Sequence, residues 1–181
     1  LSEPGDDALT EARFRCSQAV ALAMQGIPAV YFHSLTATRN HHEGVEETGR
    51  PRSINRRKWS EGELRHLLDD AESLPARVLE WYARALRHRA ACPAFHPDAP
   101  QEIHDFGPET FVLERTALDG SQTVLCLFNF TAGLVPVVDQ ERLAELFPDG
   151  STRDLLGGSE LDFPAGGLEL RPYQALWLVA R

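Results

Sequence analysis

The first candidates for chemistry in this sequence are cationic side chains that cluster in one polar stretch. Residues 47–59 read ETGRPRSINRRKW and contain Arg50, Arg52, Arg56, Arg57 and Lys58. Guanidinium groups bind phosphate and carboxylate oxygens through paired N–H donors, so the cluster could hold an anionic substrate. The alternative is that these cations pair with nearby glutamates such as Glu43 or face water, as surface charges commonly do.

Histidines in the same region do not predict a metal site. His41 and His42 are adjacent, so their side chains point apart in an extended chain, and no His-x-x-x-His or Cys-x-x-Cys spacing accompanies them. His33 follows an apolar run and is instead a candidate for hydrogen bonding at the rim of a site, or a packed core histidine. We expect no metal and no other cofactor.

No residue of this chain is predicted to be catalytic. Neither Ser34 nor Cys16 has an elbow motif or an ordered histidine and acid around it. A predicted amphipathic helix carries the carboxylates of Glu63, Asp69, Asp70 and Glu72, for which a solvated face is the simpler interpretation.

The element expected to position the cationic stretch is a strand directly before it. A helix from Asp6 or Asp7 to about Gln25 precedes Ile27–Phe32, a continuous apolar run typical of a parallel strand covered on both faces. A parallel strand cannot exist alone, so its sheet must come from elsewhere. Residues 34–58 lack helical and strand periodicity, which predicts a long functional loop at the carboxyl end of the strand.

Two further helices and then a change to period two complete the pattern. Ser60 and Glu63 form a capping-box signature for a helix to about Asp70, and a second helix runs from near Pro75 to Cys92. Strands are predicted at Phe111–Leu113, Val124–Phe130, Val135–Val138, Arg153–Leu156, Leu168–Leu170 and Ala175–Val179, with a hairpin turn at Leu118–Ser121.

This order of elements predicts two domains. Residues 1–93 would be an α/β barrel remnant, the last helix-strand-helix part of a TIM-type barrel, and residues 94–181 an all-β antiparallel sandwich domain. The α/β part is far shorter than the roughly 250 residues of such a barrel, which indicates a fragment. A chain that begins with Leu1 fits that interpretation. The alternative is a self-contained α+β protein.

Composition excludes several classes of partner and predicts a compartment. A net charge of −9 disfavours nucleic acid and anionic lipid, and no apolar stretch approaches the length of a membrane helix. Cys16, Cys92 and Cys126 are odd in number and widely spaced among apolar neighbours. They therefore predict buried free thiols and a cytoplasmic protein.

Several of these segments resemble one enzyme family. The runs RFRCSQAVALAMQGIPAVYFHSL, ATRN, GVEETGRPRSINRRKW and CPAFHPDAP resemble sucrose-phosphorylase-like enzymes of the α-amylase superfamily. The ending RPYQALWLVAR is similar to the last strand of the carboxy-terminal domain in that superfamily. The resemblance implies that Arg13–Gln25 belongs to the seventh barrel helix, Ala29–Phe32 to the eighth strand and Pro75–Ala91 to the eighth helix.

The resemblance also implies an activity. Family members transfer a glucosyl unit from a disaccharide to phosphate with retention, using an Asp nucleophile, a Glu acid/base and a second Asp on earlier strands that this chain does not contain. Arg52 matches an arginine used near the phosphate or acceptor position, and Asn55 and Arg56 match its neighbours. His33 and Asn40, in the matching runs, complete the substrate-binding residues that we predict.

The acceptor and the class of the parent protein stay open at this point. Fructose, fructose 6-phosphate, glycerol and glycerate derivatives all fit, and the extra basic residues favour an anionic acceptor. The parent could be a hydrolase, and the β-rich half could be a structural or sugar-binding module. We expect the chain to be inactive alone and to associate with a missing amino-terminal barrel or with itself.

Overall fold

The computed structural model describes residues 7–137, 140–162 and 167–180. The helices are α1 (Asp7–Ala23), α2 (Phe32–Leu35), α3 (His42–Thr48), α4 (Glu61–Asp69), α5 (Leu74–Ala91) and α6 (Gln140–Leu146), with 3₁₀ helices at Pro51–Asn55 and Pro93–Phe95. The strands are β1 (Gln101–His104), β2 (Thr110–Thr116), β3 (Thr123–Asn129), β4 (Val135–Pro136), β5 (Ser151–Asp154), β6 (Glu160–Asp162), β7 (Glu169–Leu170) and β8 (Ala175–Ala180).

The chain divides into two compact units. One combines the residues up to Pro28 with those from Ala85 onward, and the other comprises Ala29–Arg84. The first unit contains every described strand. The second contains the whole cationic stretch. The predicted division between residues 93 and 94 stays a prediction.

A six-stranded antiparallel sheet forms the centre of the first unit. Its strand order is β1-β2-β3-β8-β5-β6, and β4 pairs with β7 in a separate two-stranded sheet. An apolar core contains Val112, Leu125 and Leu170 of the two sheets, Leu143 of α6, and Phe147, which directly follows α6. The antiparallel strands predicted for the second half of the chain are therefore confirmed, with β5 lying two residues before the predicted Arg153–Leu156. Because α6 lies in the same half, the all-β prediction is wrong, and the sandwich arrangement stays a prediction. Val138, the last residue of one predicted strand, lies outside the described residues.

The hairpin between β2 and β3 forms as its turn residues predict. Asp119 accepts hydrogen bonds from the backbone N–H and the hydroxyl of Ser121, at 3.0 and 2.6 Å. Gly120 has a φ of 71°, in the left-handed region that glycine enters without strain. Turn chemistry thus fixes the register in which Leu113 pairs with Cys126.

Helix α1 packs against β3 and β8, and two buried arginines hold its carboxyl end. Arg115, in β2, is fully buried and donates to the carbonyls of Ala23 at 2.8 Å, His96 at 2.8 Å and Ala99 at 3.1 Å. Arg89 donates to Leu22 and Gly26. These donors satisfy carbonyls that have no partner within the helix.

The predicted strand at Ile27–Phe32 is not present in the structure. The segment up to Tyr31 is neither helix nor strand, and Phe32 begins α2. Ile27 is 84% exposed and Tyr31 56% exposed, so the segment is not covered on both faces. A parallel strand needs neighbours to complete its hydrogen bonds, and none of the described strands pairs with this segment. The barrel-remnant assignment therefore stays a prediction.

The long loop predicted over residues 34–58 is also wrong. It contains α3 and a 3₁₀ helix, each too short for a hydrophobic period to be visible in the sequence. Gly49 ends α3 with a φ of 63°, which is the left-handed cap that glycine favours. The helix predicted after Ser60 is present as α4. The Ser60 side chain caps it by accepting a hydrogen bond from the Glu63 amide at 3.2 Å.

Besides α2, α3 and the two 3₁₀ helices, three further elements were not predicted. Strand β1 lies at the sheet edge with Ile103 60% exposed, so its residues show no clear apolar alternation. Strand β6 and helix α6 comprise only three and seven residues. The predicted thiols, by contrast, are confirmed, because Cys16, Cys92 and Cys126 are all free and buried.

Candidate functional site

The cationic stretch folds around the 3₁₀ helix Pro51–Asn55, which we call the arginine helix. Pro51 occupies its first turn, where the fixed φ of proline favours helix and the missing N–H costs nothing. The turns close through Ser53 N to the carbonyl of Arg50 at 2.9 Å and Arg56 N to the carbonyl of Ser53 at 3.0 Å. Arg52 and Asn55 therefore lie on one short, hydrogen-bonded element.

Three groups hold the carbonyls at the carboxyl end of the arginine helix. His33 Nδ1 lies 2.9 Å from the carbonyl oxygen of Asn55, which also accepts from the Tyr31 hydroxyl at 3.1 Å. The backbone N–H of His41 donates to Ile54 at 2.8 Å. Because a carbonyl can only accept, His33 must carry a proton on Nδ1.

A second set of contacts ties the arginine helix to α3. The Thr48 and Ser53 hydroxyls are 2.7 Å apart, and Thr48 also donates to the carbonyl of Gly44 at 2.6 Å. Gly44 is buried against the His41 ring, where an added Cβ would lie 2.3 Å from Nδ1. Any larger residue at position 44 would displace the histidine whose backbone holds the arginine helix.

The arginines of this stretch differ in what surrounds them. Arg52 and Arg56 are exposed, and neither makes a side-chain hydrogen bond or ion pair with any other residue that the structure describes. Arg57 instead binds Glu63 at 2.6 Å and stacks on the Trp59 ring, 3.9 Å from its centroid. The Arg52 and Arg56 guanidinium groups thus keep their donors available to an anion.

The structure brings some of the predicted site residues together. The His33 ring contacts the backbone carbonyl of Asn55, not the Asn55 side chain. Arg52 lies on the arginine helix, and Arg56 directly follows it. Asn40 is exposed next to His41, and its side chain makes no hydrogen bond within the described ranges. Their role in substrate binding stays a prediction.

Three residues of this region, Trp59, Thr38 and Thr36, were not predicted from the sequence. Trp59 donates from Nε1 to the Thr38 hydroxyl at 3.0 Å, and that hydroxyl is 2.7 Å from Thr36. A tryptophan directly after a run of cations was the available signal, because its ring can carry a stacked guanidinium.

The first unit contains an open groove of about 490 Å³ that includes none of the predicted site residues. Its walls are mainly apolar and include Ile27, Leu86 and Phe95, with Arg89 as a charged member. Arg89 already donates to the end of α1. The Arg89 guanidinium group is therefore already engaged by backbone carbonyls.

Among the residues that the structure describes, no three His, Cys, Asp or Glu side chains are grouped closely enough to hold a metal ion. None of the described helices has the length and apolar character needed to cross a bilayer.

Known proteins place the chain in a family. A glucosylglycerate phosphorylase of Allomeiothermus silvanus is 37% identical over 182 residues, which is 99% of this chain and 29% of the relative. A sucrose phosphorylase of Streptococcus mutans is 32% identical over 125 residues, or 69% of this chain and 24% of the relative. The chain is homologous to sucrose-phosphorylase-like glycoside phosphorylases. The family resemblance is thereby confirmed.

This phosphorylase homologue also has the fold of known α-amylase-family enzymes. The structure of AmyP in complex with maltose matches 98% of this chain and 36% of that one, with a TM-score of 0.70 and 14% identity. No protein-family model matches the sequence. The chain spans less than a third of the length of the two phosphorylases.

Proposed function

We propose that this chain is the carboxy-terminal part of a retaining phosphorylase that transfers glucose between glycerate and phosphate. The observation that carries the proposal is 37% identity across 99% of the chain to a protein named glucosylglycerate phosphorylase. In this proposal the chain supplies the phosphate- and acceptor-binding segment. The catalytic carboxylates belong to the rest of the polypeptide, so the chain alone is inactive.

The charge and exposure of the arginine helix support this role. Phosphate and the glycerate carboxylate are both anions, and each can accept paired hydrogen bonds from a guanidinium group. Arg52 and Arg56 are exposed and have no described side-chain partner. Next to the carboxylates that glycosyl transfer requires, Arg52 would offset the repulsion that an incoming phosphate meets.

The other predicted residues receive supporting roles. His33 would hold the arginine helix through Asn55 and present its remaining ring nitrogen toward the substrate. Asn40 would donate to a sugar hydroxyl from the neighbouring turn. Both roles depend on the same segment, in which His41 donates to Ile54 at 2.8 Å.

The amino-terminal part of the polypeptide is the proposed partner of the segment around Ile27. Ile27, Tyr31 and Phe32 are 84%, 56% and 48% exposed, which is unusual for adjacent large apolar side chains. The missing barrel strands would cover them and convert the segment into the expected strand. In their absence, the chain would associate with itself, and light scattering of the isolated chain measures that association.

The test uses the complete polypeptide and the Arg52→Ala variant. We expect the wild type to release glucosyl phosphate from glucosylglycerate only when phosphate is present. Arg52→Ala should lower kcat/KM for phosphate by about 100-fold, the loss expected for charge-assisted hydrogen bonds worth about 2–3 kcal/mol. Product analysis with glucosylglycerate and with sucrose identifies the acceptor.

A matched control separates the site from general surface charge. Arg65 is an exposed arginine on α4 that pairs with Glu61 at 2.8 Å, so Arg65→Ala removes the same charge away from the arginine helix. Its kcat/KM for phosphate should stay within twofold of wild type. Release of free glucose at the same rate without phosphate would identify a hydrolase and contradict the proposal.

A further inference from the structure

We propose that Trp59 is a positioning residue that sets the place of the arginine helix and thereby the affinity for the anionic substrate. This inference rests on the proposed anion-binding role of Arg52. Trp59 lies four residues after the arginine helix, is half-buried and was not among the predicted site residues. Its side chain contacts Thr38, which precedes the arginine helix, and Arg57, which follows it.

On one side, Trp59 begins a continuous chain of hydrogen bonds that ends at the arginine helix. The indole Nε1 donates to the Thr38 hydroxyl at 3.0 Å, which is 2.7 Å from the hydroxyl of Thr36. Thr36 is buried, and its hydroxyl lies 3.4 Å from the carbonyl of His33. The backbone N–H of Thr38 donates to the same carbonyl at 2.9 Å.

From His33 the chain continues to the helix itself. The His33 ring is hydrogen-bonded to the carbonyl of Asn55 at 2.9 Å. The series of hydrogen bonds therefore connects Trp59, which follows the helix, to Asn55, the last residue of the helix. A closed circuit of this kind restricts the three residues between Asn55 and Trp59. Arg56 and Arg57 lie inside that span.

On the other side, the Trp59 ring holds the side chain of Arg57. The guanidinium group stacks on the indole at 3.9 Å and pairs with Glu63, whose own amide is bound to Ser60 at the start of α4. The Trp59 ring and Glu63 thus engage the Arg57 guanidinium group, whereas Arg52 and Arg56 are exposed. Loss of the ring would release Arg57 and loosen the connection to α4.

The decisive variant is Trp59→Phe in the complete polypeptide, because it keeps an aromatic ring for Arg57 and removes the Nε1 donor. We expect inorganic phosphate to bind about fivefold more weakly by calorimetry, the effect of one neutral hydrogen bond. Amide exchange in peptides covering residues 50–56 should become several-fold faster. Thr38→Val should reproduce both changes, and the double variant should be no weaker than Thr38→Val alone.

Trp81→Phe is the control for a merely structural role. Trp81 is a buried tryptophan of α5 in the same unit, so its loss costs stability without touching the circuit. It should lower the thermal midpoint but leave phosphate affinity and exchange in 50–56 unchanged. Equal weakening by Trp81→Phe, or wild-type affinity in Trp59→Phe, would overturn the inference.

Binding and activity distinguish this inference from the proposed function. A wild type that binds phosphate but forms no glucosyl phosphate contradicts the proposed reaction. The phosphate affinities of Trp59→Phe and the wild type still test the role of Trp59 in that case. A wild type that does not bind phosphate overturns both.

Discussion

Neighbouring cations in this protein differ in their surroundings within a few residues. Arg57 is neutralised by Glu63 and covered on one face by Trp59, whereas Arg52 and Arg56 are exposed. An exposed ion pair contributes little stability, so the Arg57 pair matters mainly for orientation. Charge alone therefore does not identify the residues that bind substrate.

A carboxylate in the hairpin turn provides a pH-dependent test at the residue scale. The Ser121 hydroxyl and then the Ser121 amide hold the pKa of the Asp119 carboxyl below its ordinary value. Because the folded pKa is lower than the unfolded one, the contact stabilises the turn above about pH 4 and is lost as pH falls through the folded pKa.

Ser121→Ala should raise the pKa of Asp119 toward its ordinary value. Carboxyl carbon titration by NMR measures this change, and Ser151→Ala, in another strand, serves as the control that leaves the pKa unaltered. An unchanged pKa in Ser121→Ala would show that the hydroxyl does not hold the carboxylate.

At the scale of elements, buried side chains stabilise helix and turn ends that the backbone leaves unsatisfied. Asn129, fully buried in β3, donates to the carbonyls of Gly133 and Arg171, each at 2.8 Å. Asp154 accepts from the amides of Leu156 and Trp177, each at 3.0 Å. Each of these groups joins segments far apart in sequence, so each holds two elements together.

Arg115 offers the clearest stability prediction among these groups. Burial lowers the pKa of its guanidinium group, which is held by backbone carbonyls, including that of Ala23 at the end of α1. Arg115→Met keeps the volume but leaves those carbonyls unsatisfied, so we expect about 3 kcal/mol less stability.

Urea unfolding followed by far-ultraviolet circular dichroism measures the effect of Arg115→Met. Arg153 is exposed in β5, and Arg153→Met should change the free energy of unfolding by less than about 0.5 kcal/mol. Equal losses in the two variants would contradict the capping role of Arg115.

Across the whole molecule, the thiols report on the integrity of the sheet-bearing unit. Cys16, Cys92 and Cys126 all lie in that unit and are buried. Burial raises the pKa of the Cys16 thiol to about 12 and raises the pKa of the other two above their ordinary value. The reactive thiolate is therefore scarce at neutral pH.

The folded protein should accordingly resist a thiol reagent such as DTNB at pH 8. We expect less than one thiol to react within minutes under native conditions and all three to react in guanidinium chloride, as measured by absorbance. Rapid reaction of a native thiol would mean that part of this unit opens readily.

The amino-acid sequence by itself determined the features that depend on neighbouring residues. The β2–β3 turn, the Ser60 cap of α4 and the buried cysteines follow from local chemistry and apolar pattern, and all are present. The family resemblance was likewise readable from segments such as GVEETGRPRSINRRKW. Local hydrogen bonds and apolar periodicity act over a few residues, which is why the sequence shows them.

Tertiary structure decided the features that depend on distant partners. Ile27–Phe32 has the composition of a buried strand, yet it forms none because no described strand pairs with it. Arg57 stacks on Trp59 and Arg52 does not, which depends on side-chain positions that only folding fixes. The same is true of the link from Trp59 through Thr38 to the arginine helix. A strand needs a neighbour and a hydrogen bond needs both its groups, so neither can be read from one segment.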